Sequence, residues 1–185
     1  MYRNIFSKLI KHSSSINIRN CTHNLYTKRF MSSYFNDNHD FIYFKENINE
    51  INKLNKLNIK FGFSNYALKS LNNIVYAEFY KEVDDFIEKD EIIGAIENVK
   101  TSFDIISGIS GSIISLNNEF INNIQENNEP SFEDLKNLSD YNDENGLTLF
   151  ELEIDNNEIN NVLDLINNKE FMNTEEYNKF LEKTS

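Results

Sequence analysis

The chain has 185 residues and a formal net charge of -12, from 18 Lys and Arg against 30 Asp and Glu. This length suffices for one domain with a hydrophobic core, plus appendages. Because a surface this acidic repels phosphates, the composition argues against nucleic-acid binding and favours docking to basic protein surfaces.

The N-terminal stretch has the opposite charge. Residues 1–36 contain six Lys and Arg, a serine run at 13–15 and no Asp or Glu, so the remainder has 12 basic against 30 acidic residues. This composition is typical of an organelle transit peptide, with a disordered basic tail as the alternative. The junction Arg29-Phe30-Met31-Ser32-Ser33 resembles mitochondrial processing sites. We therefore expect residues 1–35 to be a mitochondrial transit peptide, cut between about residues 30 and 37, and residues 36–185 to form the domain that works in the matrix.

Few side chains of the kind that catalyse reactions remain after this cut. The single cysteine, Cys21, lies in the leader, and His39 is the only histidine beyond it. A disulfide, a cysteine-based metal site or a Ser-His-Asp triad needs more than this inventory. No apolar run is long enough to span a bilayer. We expect a non-catalytic protein without a metal or a membrane segment.

The first half of the domain alternates short apolar runs with turn residues, which predicts β-strands. The strands are expected at residues 40–44, 59–63 and 74–79. Between the first two, residues 46–58 have no clean period and are interpreted as a surface insertion. Ser64 is the expected N-cap of a short helix that continues through Leu71, with Tyr66, Ala67 and Leu71 spaced to face the core.

A hairpin is predicted in the middle of the chain. Apolar, β-branched runs at residues 92–96 and 103–109 flank a polar turn at 97–102, which places Lys100 at an exposed tip. No Cys, His or dense carboxylate cluster lies close enough in sequence to activate its amine for catalysis. The lysine is therefore either an attachment point or an ordinary solvated charge.

The second half continues with strands and ends in helices. Strands are expected at residues 112–116 and 146–154, separated by a polar, Asn-rich insertion at 117–145 with a short helix near 131–135. Apolar spacing predicts helices at 155–166 and at 174–183, the second with Thr174 as its N-cap. The regular short strands indicate a mainly β fold, a small β-sandwich or flattened barrel with a C-terminal helical pair packed against it.

Several motifs resemble the H protein of the glycine cleavage system. Glu97-Asn98-Val99-Lys100, followed by Ser102, Asp104 and Ser110-Gly111, is similar to that family's E-S-V-K, S-D and V-S-G pattern. The similarity extends over roughly residues 39–122 and resumes near Gly146. Aspartates at 84 and 90 stand where the family has glycines. Asp also tolerates positive φ, though less readily than Gly, so this loop is where the chain departs from the family pattern.

The resemblance implies a lipoyl/biotinyl-type fold and a carrier function. Lipoate would be attached covalently to Lys100, and Glu97 would help the lipoate-attaching enzyme recognise the turn. The carrier would take an aminomethyl group from the decarboxylase P protein to the aminomethyltransferase T protein and be reoxidised by the dihydrolipoamide dehydrogenase L protein. Asp40 and Asp104 would line a cleft that docks the loaded arm, with Tyr66 standing where many relatives have His.

Three alternatives remain. A lipoyl domain of a 2-oxo acid dehydrogenase usually has its lysine in D-K-A, unlike Val99-Lys100-Thr101 here. A biotin carrier normally brackets its lysine with methionines, and none is near Lys100. An unmodified interaction protein, or a lipoate donor that works outside a complete glycine cleavage cycle, would keep the same fold and turn.

Overall fold

The computed structural model describes residues 32–36, 40–71, 73–126, 142–143 and 146–184. Most of the predicted leader with Cys21, as well as His39, Asn72 and the short helix predicted near 131–135, lie outside the described residues. Within the described ranges, no helix combines the length and the apolarity that crossing a membrane requires.

The described strands are short, and most follow one another closely along the chain. They are β1 (Ser32–Phe35), β2 (Asp40–Phe44), β3 (Lys56–Ser64), β4 (Ile74–Phe79), β5 (Phe86–Ile87), β6 (Ile92–Asn98), β7 (Ser102–Ile106), β8 (Gly111–Leu116), β9 (Asn142–Asp143), β10 (Gly146–Asp155) and β11 (Met172–Asn173). The helices are a 3-10 turn at Ile51–Lys53, α1 (Asn65–Leu71), α2 (Asn118–Glu126), α3 (Asn156–Asn167) and α4 (Thr174–Thr184).

The strands form two antiparallel sheets. The large sheet has the order β11-β1-β2-β3-β10-β8-β5, with β9 also paired to β10, and the small sheet has the order β4-β6-β7. One hydrophobic cluster contains buried side chains of both sheets, among them Ile59 and Leu152 of the large sheet and Ala77 and Ile96 of the small one. The prediction of a mainly β sandwich with short helices is confirmed. The fold consists of two packed sheets rather than a closed barrel.

The stretch interpreted as a surface insertion at 46–58 contributes side chains to the core; that it is an insertion stays a prediction. Strand β3 begins at Lys56, earlier than expected, and the side chains of Ile51 and Leu57 are 0% and 2% exposed. The apolar residues lack a clean period because a 3-10 turn and the start of a strand follow one another directly.

Helix α2 was not predicted, since residues 117–145 were interpreted as a polar insertion. Asn117, which is fully buried, is its N-cap: the side-chain carbonyl accepts from Phe120 N at 2.9 Å and the amide donates to Thr148 O at 2.7 Å. Phe120 and Ile124 bury the apolar face of the helix. Their four-residue spacing was the available signal, masked by the surrounding Asn and Glu.

The two C-terminal helices are present as predicted. The Asp155 carboxylate caps α3 by accepting from Glu158 N at 3.0 Å. The cap of α4 is Asn173 rather than Thr174, because Asn173 Oδ1 accepts from Glu176 N at 3.0 Å while the Glu176 carboxylate accepts from Asn173 N at 3.2 Å. This reciprocal pair is a capping box, which Thr174, one residue later, is not placed to form.

A second, smaller cluster joins the first strand to the last helix. Phe35 of β1, 2% exposed, stacks on Tyr177 of α4 with ring centroids 4.4 Å apart and planes 8° from parallel. The Tyr177 hydroxyl and the buried Ser64 hydroxyl lie 2.9 Å apart in a hydrogen bond. Strand β1, which the expected leader boundary at residue 35 would remove, is thus built into the fold; the cleavage site itself stays a prediction.

Both aspartates at family glycine positions adopt the backbone that glycine favours. Asp84 has φ 75° and Asp90 has φ 66°. The loops between β4 and β6 therefore keep a left-handed conformation at these two positions without glycine.

Candidate functional site

Lys100 lies at the tip of the β6–β7 hairpin, as predicted. Asn98 N donates to Thr101 O at 2.9 Å and closes the turn. Lys100 is exposed, as is Val99 before it, which is 65% exposed. Among the described residues, no carboxylate forms an ion pair with the Lys100 ammonium group. The turn thus presents an accessible amine.

The Asn98 side chain organises this turn. Its Oδ1 accepts from Lys100 N at 2.9 Å and from Thr101 N at 2.8 Å, which forms an Asx turn. Its Nδ2 donates to the carbonyl of Leu71, the last residue of α1, at 3.0 Å. Asn98 was not predicted as a site residue, although an Asn two positions before the turn lysine is a recognisable Asx signal.

A cleft of about 440 Å³ lies beside the hairpin, between β7, α1 and the strands β2, β3 and β10. Phenylalanines from three strands supply much of its wall, and two of them, Phe61 and Phe150, stack with centroids 5.0 Å apart and planes 2° from parallel. Phe103 of β7 lines the cleft on the hairpin side. These mainly apolar walls are suited to a flexible hydrocarbon chain with a polar end.

Asp40 and Asp104, the two acids expected at the arm-docking cleft, both line this cavity, although they lie in different sheets. The Asp40 carboxylate accepts from Asn36 Nδ2 at 2.9 Å, and its backbone N donates to Asn36 Oδ1 at 2.9 Å, so the β1–β2 hairpin orients it. Burial raises the pKa of the nearby Tyr177 hydroxyl. The hydrogen bond with Ser64 lowers this pKa, while electrostatic interactions with Tyr66 and Asp40 raise it. Asp40, Tyr66 and Tyr177 therefore lie near one another, and of these three Asp40 is the one that lines the cleft.

The prediction that Tyr66 faces the core is wrong. Tyr66 is 39% exposed and is absent from the described lining of the cleft, whereas Leu68 and Leu71 are the buried residues of α1. Two helical positions correspond to a rotation of about 200°, so a residue two before Leu68 falls on the opposite side. Its expected role at the cleft remains untested.

Asp104 stands at the rim, where the cleft meets the outer face of the small sheet. Asp104 of β7 is paired with Ala95 of β6, and Ala95 is paired with Glu78 of β4. Two residues further along β6, Glu97 is paired with Tyr76 of β4. A hydrogen bond to Glu78 raises the pKa of Tyr76 above its usual value, with smaller contributions from burial and from the charges of Glu78 and Glu97. Glu78, Glu97 and Asp104 thus share the surface of the small sheet next to the lysine turn.

The described residues contain no group of three or more His, Cys, Asp or Glu side chains that could hold a metal ion.

A two-sheet β domain that presents an exposed lysine on a hairpin, beside an apolar cleft with acids at its edge, has the arrangement of a covalent carrier. The chain belongs to the glycine cleavage H-protein family, whose model matches residues 34–184. Members of this family carry lipoate and are not catalytic enzymes.

Two sequence relatives support the same family. The glycine cleavage system H protein of Thermoanaerobacter sp. (strain X514) is 30% identical over 122 residues, which cover 66% of this chain and 79% of that protein. The one of Halalkalibacterium halodurans is 33% identical over 75 residues, 40% of this chain and 58% of that protein. The match thus spans little more than half of that relative. A crystal structure of the H protein of Mycobacterium marinum has a TM-score of 0.44 at 15% identity, over 71% of this chain and 95% of that one.

Proposed function

We propose that this protein is the lipoyl carrier of a glycine cleavage system and that lipoate is joined to Lys100 through an amide. The observation that carries the proposal is the exposed Lys100, held at a hairpin tip within Glu97-Asn98-Val99-Lys100 and next to an apolar cleft. When attached, the lipoyl dithiolane takes the aminomethyl group made by P protein, passes it to T protein and is reoxidised by L protein.

The residues of this chain bind and position rather than catalyse. Lys100 supplies the amine, and the attaching enzyme must supply the activated acyl group and the base that takes the amine's proton. Glu97, exposed on the strand that leads into the turn, offers that enzyme a fixed negative charge. The phenylalanine walls of the cleft exclude water, and Asp40 and Asp104 attract a protonated amine.

A direct test measures attachment and loading separately. Purified protein is incubated with a lipoate ligase, ATP and lipoate, and peptide mass analysis locates the modification. P protein and glycine are then added and the mass gain is measured again. Attachment at Lys100 with P-dependent loading supports the carrier; attachment without loading supports the alternative, a lipoate donor outside a complete cycle. Absence of attachment contradicts both.

Replacing Asp104 by Asn is expected to shorten the lifetime of the loaded carrier about threefold, the scale of a charge interaction at an exposed site. The change removes a negative charge from the rim and leaves the shape of the side chain nearly unchanged. Attachment of lipoate should proceed at the wild-type rate, because the lysine turn is not altered. The measurement is the decay of the loaded mass with time in isolated protein.

Asp164→Asn is the matched control, since Asp164 is exposed on α3 and does not line the cleft. It should leave the lifetime at the wild-type value. An Asp104→Asn protein with an unaltered lifetime would remove this residue from arm docking.

We also propose that residues before β1 form a leader that directs the protein to the mitochondrial matrix, as their charge pattern suggests. A cut between about residues 30 and 32 would leave β1 whole, and the fold would need this strand because Phe35 is 2% exposed and pairs with Phe41 and Met172 across the sheet.

A protein that begins at Ser32 is expected to be as stable as the full chain, and one that begins at Asn36 to be less stable by at least about 3 kcal/mol, the cost of losing a buried Phe. Urea unfolding of the three proteins measures the difference. Equal stability of the two shortened proteins would show that β1 contributes nothing.

A further inference from the structure

Asn98 connects the lysine turn to a wall of the cleft. We propose that it is a positioning residue whose two polar ends have separate tasks: its carbonyl oxygen shapes the turn that is modified, and its amide nitrogen fixes that turn to α1. The inference deepens the proposed function, because it rests on Lys100 as the root of the arm.

The carbonyl end acts on the backbone of the turn. Oδ1 accepts from both Lys100 N and Thr101 N, while the backbone N of Asn98 donates to Thr101 O. These three bonds hold residues 98–101 in one conformation and so determine the direction in which the Lys100 side chain leaves the hairpin. Asn is favoured in such turns because its side chain bonds to the backbone two residues later.

The amide end acts on a different element. The carbonyl of Leu71 belongs to the last turn of α1 and has no partner within the helix, so the donation from Asn98 Nδ2 at 3.0 Å satisfies it. Ala67, Ser70 and Leu71 of this helix line the cleft. The first turn of α1 is held as well, since Ser64 Oγ accepts from Ala67 N at 3.2 Å. The lysine turn is thus hydrogen-bonded to α1, a wall of the cleft that is itself held by a hydrogen bond at each end.

Asn is suited to both tasks because its acceptor and its donor are separate atoms. Asn offers an acceptor and a donor on one planar group, Asp offers acceptors only, and Ser has a single shorter hydroxyl. If the turn is fixed relative to the cleft, the point at which the arm is attached does not move. Less conformational freedom is then lost each time the arm enters the cleft. The donor end should therefore affect docking, and the acceptor end should affect attachment.

Asn98→Asp separates the two ends because it keeps the acceptors and removes the donor. In unmodified protein, amide exchange of Lys100 and Thr101 should remain as slow as in wild type, while nitrogen relaxation should show a more mobile hairpin tip. Asn98→Ala should lose both properties, with exchange about fivefold faster or more. Asn178→Asp, an equal charge change on an exposed position of α4, should alter neither.

In lipoylated protein, Asn98→Asp should be modified at close to the wild-type rate but lose its aminomethyl load about fivefold faster. Asn98→Ala should be slow in attachment as well. An Asn98→Asp protein with the wild-type mobility and lifetime would overturn the proposal. If wild-type Lys100 gains no lipoate, the proposed function fails instead, and the exchange and relaxation measurements on unmodified protein still decide the role of Asn98 in the turn.

Discussion

Replacing Lys100 by Arg is expected to reduce lipoate attachment to the limit of detection. Arg keeps the positive charge, but its guanidinium does not lose a proton near neutral pH and cannot form the amide. Lys100 is exposed and forms no ion pair with a described carboxylate, so unfolding free energy should change by less than about 0.5 kcal/mol. Intact mass after incubation with ligase, ATP and lipoate measures the effect.

Lys89→Arg provides the control for this change. Lys89 is also exposed on a turn, just before β6, and lies outside the motif. That protein should gain the lipoyl mass at the wild-type rate. A Lys100→Arg protein that still gains the mass would show that another lysine carries the arm, and the assignment of the hairpin tip would be wrong.

The second large effect is expected from Gly62→Ala, which should prevent folding or destabilise the protein by more than about 4 kcal/mol. Gly62 lies in β3 where β10 passes very close. A Cβ there would be 1.8 Å from the Leu147 carbonyl oxygen and 2.9 Å from the Thr148 Cα. These are backbone atoms of a central strand, so they cannot turn aside as a side chain could. The irregular pairing of β3 with β10 between Thr148 and Phe150 lies at the same place.

Gly108→Ala is the matched variant, since a Cβ at Gly108 meets nothing within 4 Å and its φ is not positive. It should change stability by less than about 1 kcal/mol, or stabilise slightly by restricting the unfolded chain. Urea unfolding midpoints of both variants against wild type give the comparison. A Gly62→Ala protein with the wild-type midpoint would mean that β3 and β10 are less closely spaced than the structure has them.

The parts of the site that could be predicted are those defined by neighbouring residues. The β6–β7 hairpin follows from two apolar runs around a polar turn, and outside the site α3 follows from the apolar period after Asp155. In contrast, the bond from Asn98 to Leu71 joins residues 27 positions apart, and nothing in the local pattern indicates it. The close approach of Gly62 to Leu147 is likewise a tertiary contact.

At two places composition outweighed a weaker local signal in the prediction. Phe120 and Ile124 have helical spacing, but the many Asn and Glu around them indicated a loop. Phe35 belongs to a strand, but the absence of acids before residue 37 assigned it to the leader. In both places the buried side chains find partners from distant segments, Phe35 on Tyr177 for example, and these partners are visible only in the folded chain.

The position of β1 between β2 and β11 has a consequence for the order in which the protein folds. Its first neighbour, β2, follows within a few residues, but the second, Met172–Asn173, follows only after all the other described strands. A chain synthesised from its N-terminus cannot complete the edge of the large sheet, nor stack Tyr177 on Phe35, until residues 172–177 have also been made. Non-local closure of this kind slows folding, so β1 and β11 are expected to be among the last parts of the large sheet to form.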